Sequence, residues 1–117
     1  MDAARAERIL KYLGLSAKAG RLVIGTSLIC TALSKQARDK TPVLVLWACD
    51  ASANTQKRLH DRSTYYGVAH TVLEGVDCNT LAVRVGKGDA AVAAVGVTDG
   101  NLARAILAVL QENDSNN

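Results

Sequence analysis

Apolar positions along this chain follow two periods, and the two alternate. Ala6, Ile9, Leu10, Leu13 and Ala17 recur at helical spacing and predict one amphipathic helix over residues 3–19. Asp2 stands where a side-chain oxygen caps a helix start, and Gly20 where a left-handed residue ends one. Leu22-Val23-Ile24 predicts a short strand. Gly25-Thr26-Ser27 then opens a second helix, to about Gln36, with Leu28, Ala32 and Leu33 expected inward. A basic loop over residues 37–42 closes on Pro42, the only proline. The run from Val43 to Cys49 is unbroken apolar and too short to span a membrane, so it predicts a central strand buried on both faces. Asp50 or Ser52 is placed to cap a polar helix over 53–66, on which Thr55, Leu59 and Tyr66 mark a narrow inward stripe and Arg58 and Arg62 share the exposed face. Gly67 ends it, and Val68–Val72 predicts a third strand. Asp77 is placed to cap a short helix through Val85, Gly86-Lys87-Gly88-Asp89 to turn tightly, and Ala90–Val97 to form a fourth strand. Thr98 or Asp99 caps a last helix over 100–111, with Leu102, Ile106, Val109 and Leu110 facing the core. Residues 1–112 are expected to form a single domain and 113–117 a polar, frayed tail.

The order αβαβαβαβα implies an α/β fold in which helices cover both faces of a four-stranded sheet, a three-layer α/β/α sandwich. In such sheets ligands favour the carboxyl ends of the strands, which draws notice to Asp50, Ser52 and Asn54 after the central strand. A new helix start there also favours an anion. Plain turn and capping roles account for the same residues equally well.

Composition narrows the choice. Hydrophobic residues make up 49% of 117 positions, enough for a packed core. There is no Phe, one Trp and three Tyr, so reading single-stranded RNA by base stacking is disfavoured. The net charge of +3 is uneven: residues 1–40 carry eight Lys/Arg against three Asp/Glu, while the rest is slightly acidic. A basic first third suggests a polyanionic partner, and also describes an ordinary solvated surface. Cys30, Cys49 and Cys78 form no CxxC pair, and Cys30 and Cys49 sit in apolar stretches that suggest buried, inert thiols. The charged, amphipathic start has no signal-peptide character, and the expected location is a reducing cytoplasm with no membrane contact.

An enzyme needs a constellation, and none is spelled out. His60 and His70 have no metal-ligand spacing to any Cys, and there is no GxSxG elbow or triad signature. Gly86-Lys87-Gly88-Asp89 lacks the spacing of a phosphate loop and its Lys-Ser/Thr end. Neither a cofactor, a metal, nor a small-molecule substrate is expected.

Three stretches in a fixed order carry a resemblance. They are Leu13-Gly14-Leu15-Ser16-Ala17-Lys18-Ala19-Gly20-Arg21-Leu22-Val23 with Gly25-Thr26, then Asp50-Ala51-Ser52-Ala53-Asn54-Thr55-Gln56-Lys57, then Leu81-Ala82-Val83-Arg84-Val85-Gly86-Lys87. The second is close to a bacterial D-A-S-x-N-T-x-K pattern. The third matches L-G-x-x-x-G-K with Ala82 in place of Gly. Across about residues 7–110 the chain resembles the kink-turn-binding ribosomal proteins of the L-seven-Ae and L-thirty-e type, in their bacterial YlxQ-like branch.

That resemblance implies an α/β/α sandwich with a mixed sheet, no catalytic activity, and structured RNA as partner, either ribosomal RNA or another kink-turn RNA. Ribosomal proteins are possible further partners. It places RNA against Gly25, Thr26, Ser27, Leu28 and Thr31 on one side and Lys87, Gly88, Asp89 and Ala90 on the other. Lys18, Arg21 and Arg84 are the expected nearby cations, and Asp50 and Lys57 from the second motif complete the set. The chain departs from the family's G-x-N-E-x-x-K reader, where Ser27, Leu28 and Thr31 replace Asn, Glu and Lys. Leu28 cannot accept a hydrogen bond from a guanine edge, so backbone and phosphate contacts would carry more of the binding. The alternative is a protein-interaction module on the same fold, with Leu28, Ile29 and Cys30 as an apolar contact surface.

Overall fold

Short polar side chains start most of the helices and glycine turns end several. The computed structural model describes residues 1–88 and 90–112; the expected polar tail, 113–117, and Asp89 lie outside the described residues. The elements are α1 (Ala3–Lys18), β1 (Leu22–Ile24), α2 (Thr26–Lys35), β2 (Leu44–Ala48), α3 (Ala53–Tyr65), β3 (Ala69–Leu73), α4 (Cys78–Arg84), β4 (Ala94–Val97) and α5 (Gly100–Leu110). Asp2, Ser52, Asp77 and Asp99 each accept a backbone N–H in the first turn of α1, α3, α4 and α5. Such a cap is worth about 1 kcal/mol. Of the alternatives open at each start, Ser52 rather than Asp50 caps α3, and Asp99 rather than Thr98 caps α5.

The strands form one mixed sheet in the order β1-β4-β2-β3. β2 and β3 run parallel, while β4 is antiparallel to both β1 and β2. Every residue of β2 is buried, as its unbroken apolar run requires of a strand covered on two faces. Leu44, Leu46, Ala48 and Leu73 pack with α1, α4 and α5 on one face. Val45, Trp47 and Ala94 pack with Ile29 and Leu33 of α2 and Leu59 of α3 on the other. Arg5 and Arg8 of α1 pair with Glu112 just past α5, which ties the ends of these two helices together. No helix of the described residues is long and apolar enough to cross a membrane.

Three expectations need correction. Leu28 was expected to face inward and is 62% exposed; the buried set of α2 is Ile29, Cys30 and Leu33. The helix is turned by about one residue, or roughly 100°, from the expected stripe, which sets Ile29 and Leu33 against Val45, Trp47 and Ala94 of the sheet. Cys49 is exposed rather than buried, since β2 ends at Ala48 and Cys49 already lies in the turn. The fourth strand is shorter than the apolar run 90–97. Residues before Ala94 are spent on tethers instead: the Ala93 carbonyl accepts the Ala48 N–H at 2.8 Å and the Val92 N–H reaches the Cys78 carbonyl at 3.4 Å. Ser16 and Ser63 are buried, which apolar periodicity alone does not reveal. The Ser16 hydroxyl donates to the Tyr12 carbonyl at 2.8 Å, so its burial leaves no donor unmet.

β4 crosses under Pro42 at Gly96, where an added Cβ would stand 2.9 Å from the proline ring. The ring sits on backbone-anchored chain and has little room to yield. Gly96→Ala is therefore expected to destabilise the fold by about 1–3 kcal/mol, seen as a lower urea midpoint with an unchanged denaturant slope; an unchanged midpoint would show that Pro42 gives way freely.

Candidate nucleic-acid interface

β1, β2 and β3 all point the same way, so the chain leaves each of them at one edge of the sheet. β4 enters at that edge from the loop after α4. The edge therefore gathers Gly25 after β1, Asp50 after β2, and the loop running from Gly86 to Ala93.

The start of α2 differs from the others. Gly25 occupies its N-cap with φ of 104°, a conformation costly for any side chain, and no side-chain oxygen caps the helix. The Gly25 N–H donates to the Ala94 carbonyl at 3.0 Å, which locks the turn to the first residue of β4. The Gly25 carbonyl accepts the Ile29 N–H. The N–H groups of Thr26, Ser27 and Leu28 are thus left without an intrahelical acceptor. Thr26 is half-buried, while Ser27, Leu28 and Thr31 are exposed on the same helix.

The facing loop is built by the end of α4. The Lys87 N–H donates to the Ala82 carbonyl at 2.7 Å and the Gly86 N–H to the Val83 carbonyl at 3.2 Å, with Gly86 at φ of 84°. This paired-bond helix ending turns the chain sharply and leaves Lys87, Gly88 and Ala90 exposed. Lys87 and Lys18 have no ion-pair partner among the described residues. Lys18 lines a groove of about 610 Å³ between α1 and α4, together with Lys11, Gly14, Leu15, Val83 and Gly86. Gly14 lets the helices close in, since a Cβ there would stand 3.3 Å from the Arg84 carbonyl.

The remaining expected residues are otherwise engaged or placed elsewhere. Arg84 makes a two-pronged pair with Glu7, at 2.7 and 2.6 Å. The guanidinium holds the Glu7 carboxyl below the usual carboxylate range, and the pair neutralises the Arg84 charge locally. Lys57 pairs with Asp61 at 2.8 Å one turn along α3. Asp50 accepts the Cys78 N–H at 2.8 Å, tying the end of β2 to the start of α4. Burial, followed by that carboxylate, pushes the Cys78 thiol up to about 11. Arg21 sits at the other end of β1: its carbonyl accepts the Thr98 N–H, while Gly25 meets Ala94. Arg21 and Gly25 flank β1 four residues apart, so at ~3.3 Å per residue they stand about 13 Å from one another. Asp89 lies outside the described residues.

The structure thus brings together Gly25, Thr26, Ser27, Leu28 and Thr31 with the loop carrying Lys87, Gly88 and Ala90, and sets Lys18 beside that loop. It does not bring Arg21 there. Sequence reading missed Lys11, although Lys11 and Lys18 lie two turns apart on α1, a spacing that was there to find. It also missed Lys35 and Lys40, which rim a groove of about 390 Å³ floored by Leu22, Ile24, Leu28 and Ala32.

No protein-family model matches the chain. Over 68 residues, 58% of this chain, it is 32% identical to the RNA-binding protein YlxQ of Enterococcus faecium, and it spans 62% of that relative's length. A protein of unknown function from Bacillus halodurans has a similar structure, with a TM-score of 0.77 over 89% of this chain and 97% of that one, at 27% identity. The Giardia lamblia 15.5kD RNA binding protein has the same fold, with a TM-score of 0.72 over 94% of this chain and 88% of that one, at 13% identity. In sequence the chain is similar to YlxQ over that stretch, in line with its motifs, and its fold is the α/β/α sandwich of the Giardia protein.

Proposed function

We propose that this chain binds structured RNA and catalyses no reaction on it. The observation that carries the reading is the uncapped start of α2, set at one sheet edge with the Lys87 loop. Free N–H groups at a helix start attract a phosphate, and a lysine on a tight loop opposite it adds a second point of charge. A groove holding Lys11 and Lys18 extends the positive surface beyond the loop. The YlxQ relative is named an RNA-binding protein, as is the Giardia protein on the same fold, which points to the same partner class.

In this reading Gly25, Thr26, Ser27, Leu28 and Thr31 meet the RNA from α2, and Lys87, Gly88, Asp89 and Ala90 close over it. Lys18 neutralises phosphate alongside. Asp50 acts indirectly, by fixing the start of α4 and hence the loop. Arg84 and Lys57 contribute only if RNA draws them from Glu7 and Asp61. The partner is a kink-turn-like RNA, ribosomal or of similar architecture, bound in the cytoplasm by residues 1–112 acting as one unit, with ribosomal proteins as companions. Leu28 in place of a carboxylate removes a base contact worth about 1–3 kcal/mol of discrimination, so phosphate and backbone contacts carry a larger share.

One observation favours a second reading, a protein-interaction module on this fold. Leu28 is exposed over an apolar groove beside the edge strand β1. Ile29 and Cys30 do not belong to that surface, because both are buried. The converging cations at the sheet edge favour RNA over this alternative.

Two outcomes are expected. With a kink-turn RNA titrated at several salt concentrations, the pair Lys18→Glu and Lys87→Glu weakens binding and lowers the log–log salt slope by about two, because each phosphate contact contributes roughly 0.9. Arg21→Glu, at the far end of β1, leaves the slope unchanged. Equal effects from both variants would place the RNA elsewhere. Second, Ser27→Asn, Leu28→Glu and Thr31→Lys together raise the preference for a kink-turn over a straight duplex by about tenfold or more. Flat selectivity in that competition would show that these three positions do not meet the bases.

A further inference from the structure

The chain's two histidines, separated by ten residues in sequence, meet on the α2–α3 side of the sheet. His60 lies on the exposed face of α3 and His70 on β3, with His60 Nδ1 and His70 Nε2 3.1 Å apart. His70 Nδ1 is 2.8 Å from the Val68 carbonyl. A carbonyl only accepts, so Nδ1 carries the proton, and in the neutral ring Nε2 presents a lone pair toward His60. The ring is held on its other side by Trp47, stacked at 5.9 Å between centroids and 23° between planes. Trp47 is itself fixed by its Nε1–H, which donates to Gln56 at 3.2 Å. His60 approaches edge-on, at 4.9 Å and 76°.

We propose that His60 Nδ1 and His70 Nε2 form a two-imidazole clamp for a divalent transition-metal ion of the class nitrogen ligands favour, such as Ni(II), Zn(II) or Cu(II). With both rings turned so that their lone pairs leave the N···N line and meet at an ion, and with metal–nitrogen bonds of about 2.0–2.1 Å, two donors 3.1 Å apart subtend roughly 100° at that ion. That lies between a tetrahedral angle and the right angle of neighbouring square-planar or octahedral positions. His70 already carries the supporting feature of a metal-bound histidine, its other ring N–H given to a backbone carbonyl. His60 binds by moving its proton from Nδ1 to the solvent-facing Nε2. Among the described residues no third His, Cys, Asp or Glu joins the pair, so water fills the other positions. Mg(II) and Ca(II), which seek oxygen, are excluded by the donor set.

The clamp stands clear of the proposed RNA edge. His70 opens β3 next to Ala69, whereas the strands reach that edge at their other ends. The test uses the full chain carrying Cys49→Ser, so that the exposed thiol after β2 does not compete for metal. Ni(II) is titrated by calorimetry while the imidazole NMR signals are followed. One equivalent is expected to bind and broaden both histidines, and Mg(II) at the same concentration to bind neither. His60→Ala and His70→Ala should each weaken Ni(II) binding by about tenfold or more, and the double variant little further, because one imidazole alone is no chelate. Trp47, the only tryptophan, gives an internal readout through its contact with His70. Its Ni(II)-dependent emission change should vanish in His60→Ala, which alters only an exposed helix position and leaves the circular dichroism unchanged. Parental affinity in either single variant, or an emission change that survives in His60→Ala, would overturn the clamp.

Discussion

The insertion of β4 between β1 and β2 is the constraint on which the rest depends. β4 pairs antiparallel on both sides and is buried on both faces, so each of its residues must suit two neighbours and two layers at once. Gly96 makes the crossing under Pro42 possible. Because β4 runs against the other three strands, its entry lies where they end. A loop after α4 is therefore brought beside the turns after β1 and β2, and the bond from Gly25 to Ala94 fixes that meeting. Without the antiparallel insertion, the start of α2 and the Lys87 loop would stand at opposite ends of the sheet.

Charge at this edge is arranged by pairing as much as by number. Arg84 and Lys57 carry positive charge in the sequence, yet Glu7 and Asp61 hold them. Lys18 and Lys87 are exposed and have no ion-pair partner among the described residues. The cations near this edge thus divide into ones that stitch the surface and ones that project from it. The histidines show the converse: ordinary residues in sequence, they become a facing pair because α3 packs across β3.

Much of the candidate site was legible. Gly25 announced the opening of a helix, though not that no side chain would cap it, and Gly86 and Lys87 announced a turn after α4. Both depend on local backbone geometry, which short motifs encode. The exposed Cys49 and the distance of Arg21 from the edge were not legible, nor was the outward Leu28 from periodicity, which set it inward although the resemblance set it against RNA. Each depends on where an element sits against another: on the rotation of α2 against the sheet, on β2 ending at Ala48, and on the direction of β1.

By itself the sequence determined the alternation of helix and strand, the caps at Asp2 and Asp77, a choice of two capping residues at each of α3 and α5, and the double burial of β2. These follow from periodicity and from side chains within a few residues of the backbone they serve. Only the tertiary structure decided the order β1-β4-β2-β3, the pairing of Arg84 with Glu7 and the meeting of His60 with His70. Those partners are distant in sequence or lie on separate elements. The physical reason is that pairing between elements is set by packing both faces of one sheet at once, which no local stretch of chain can express.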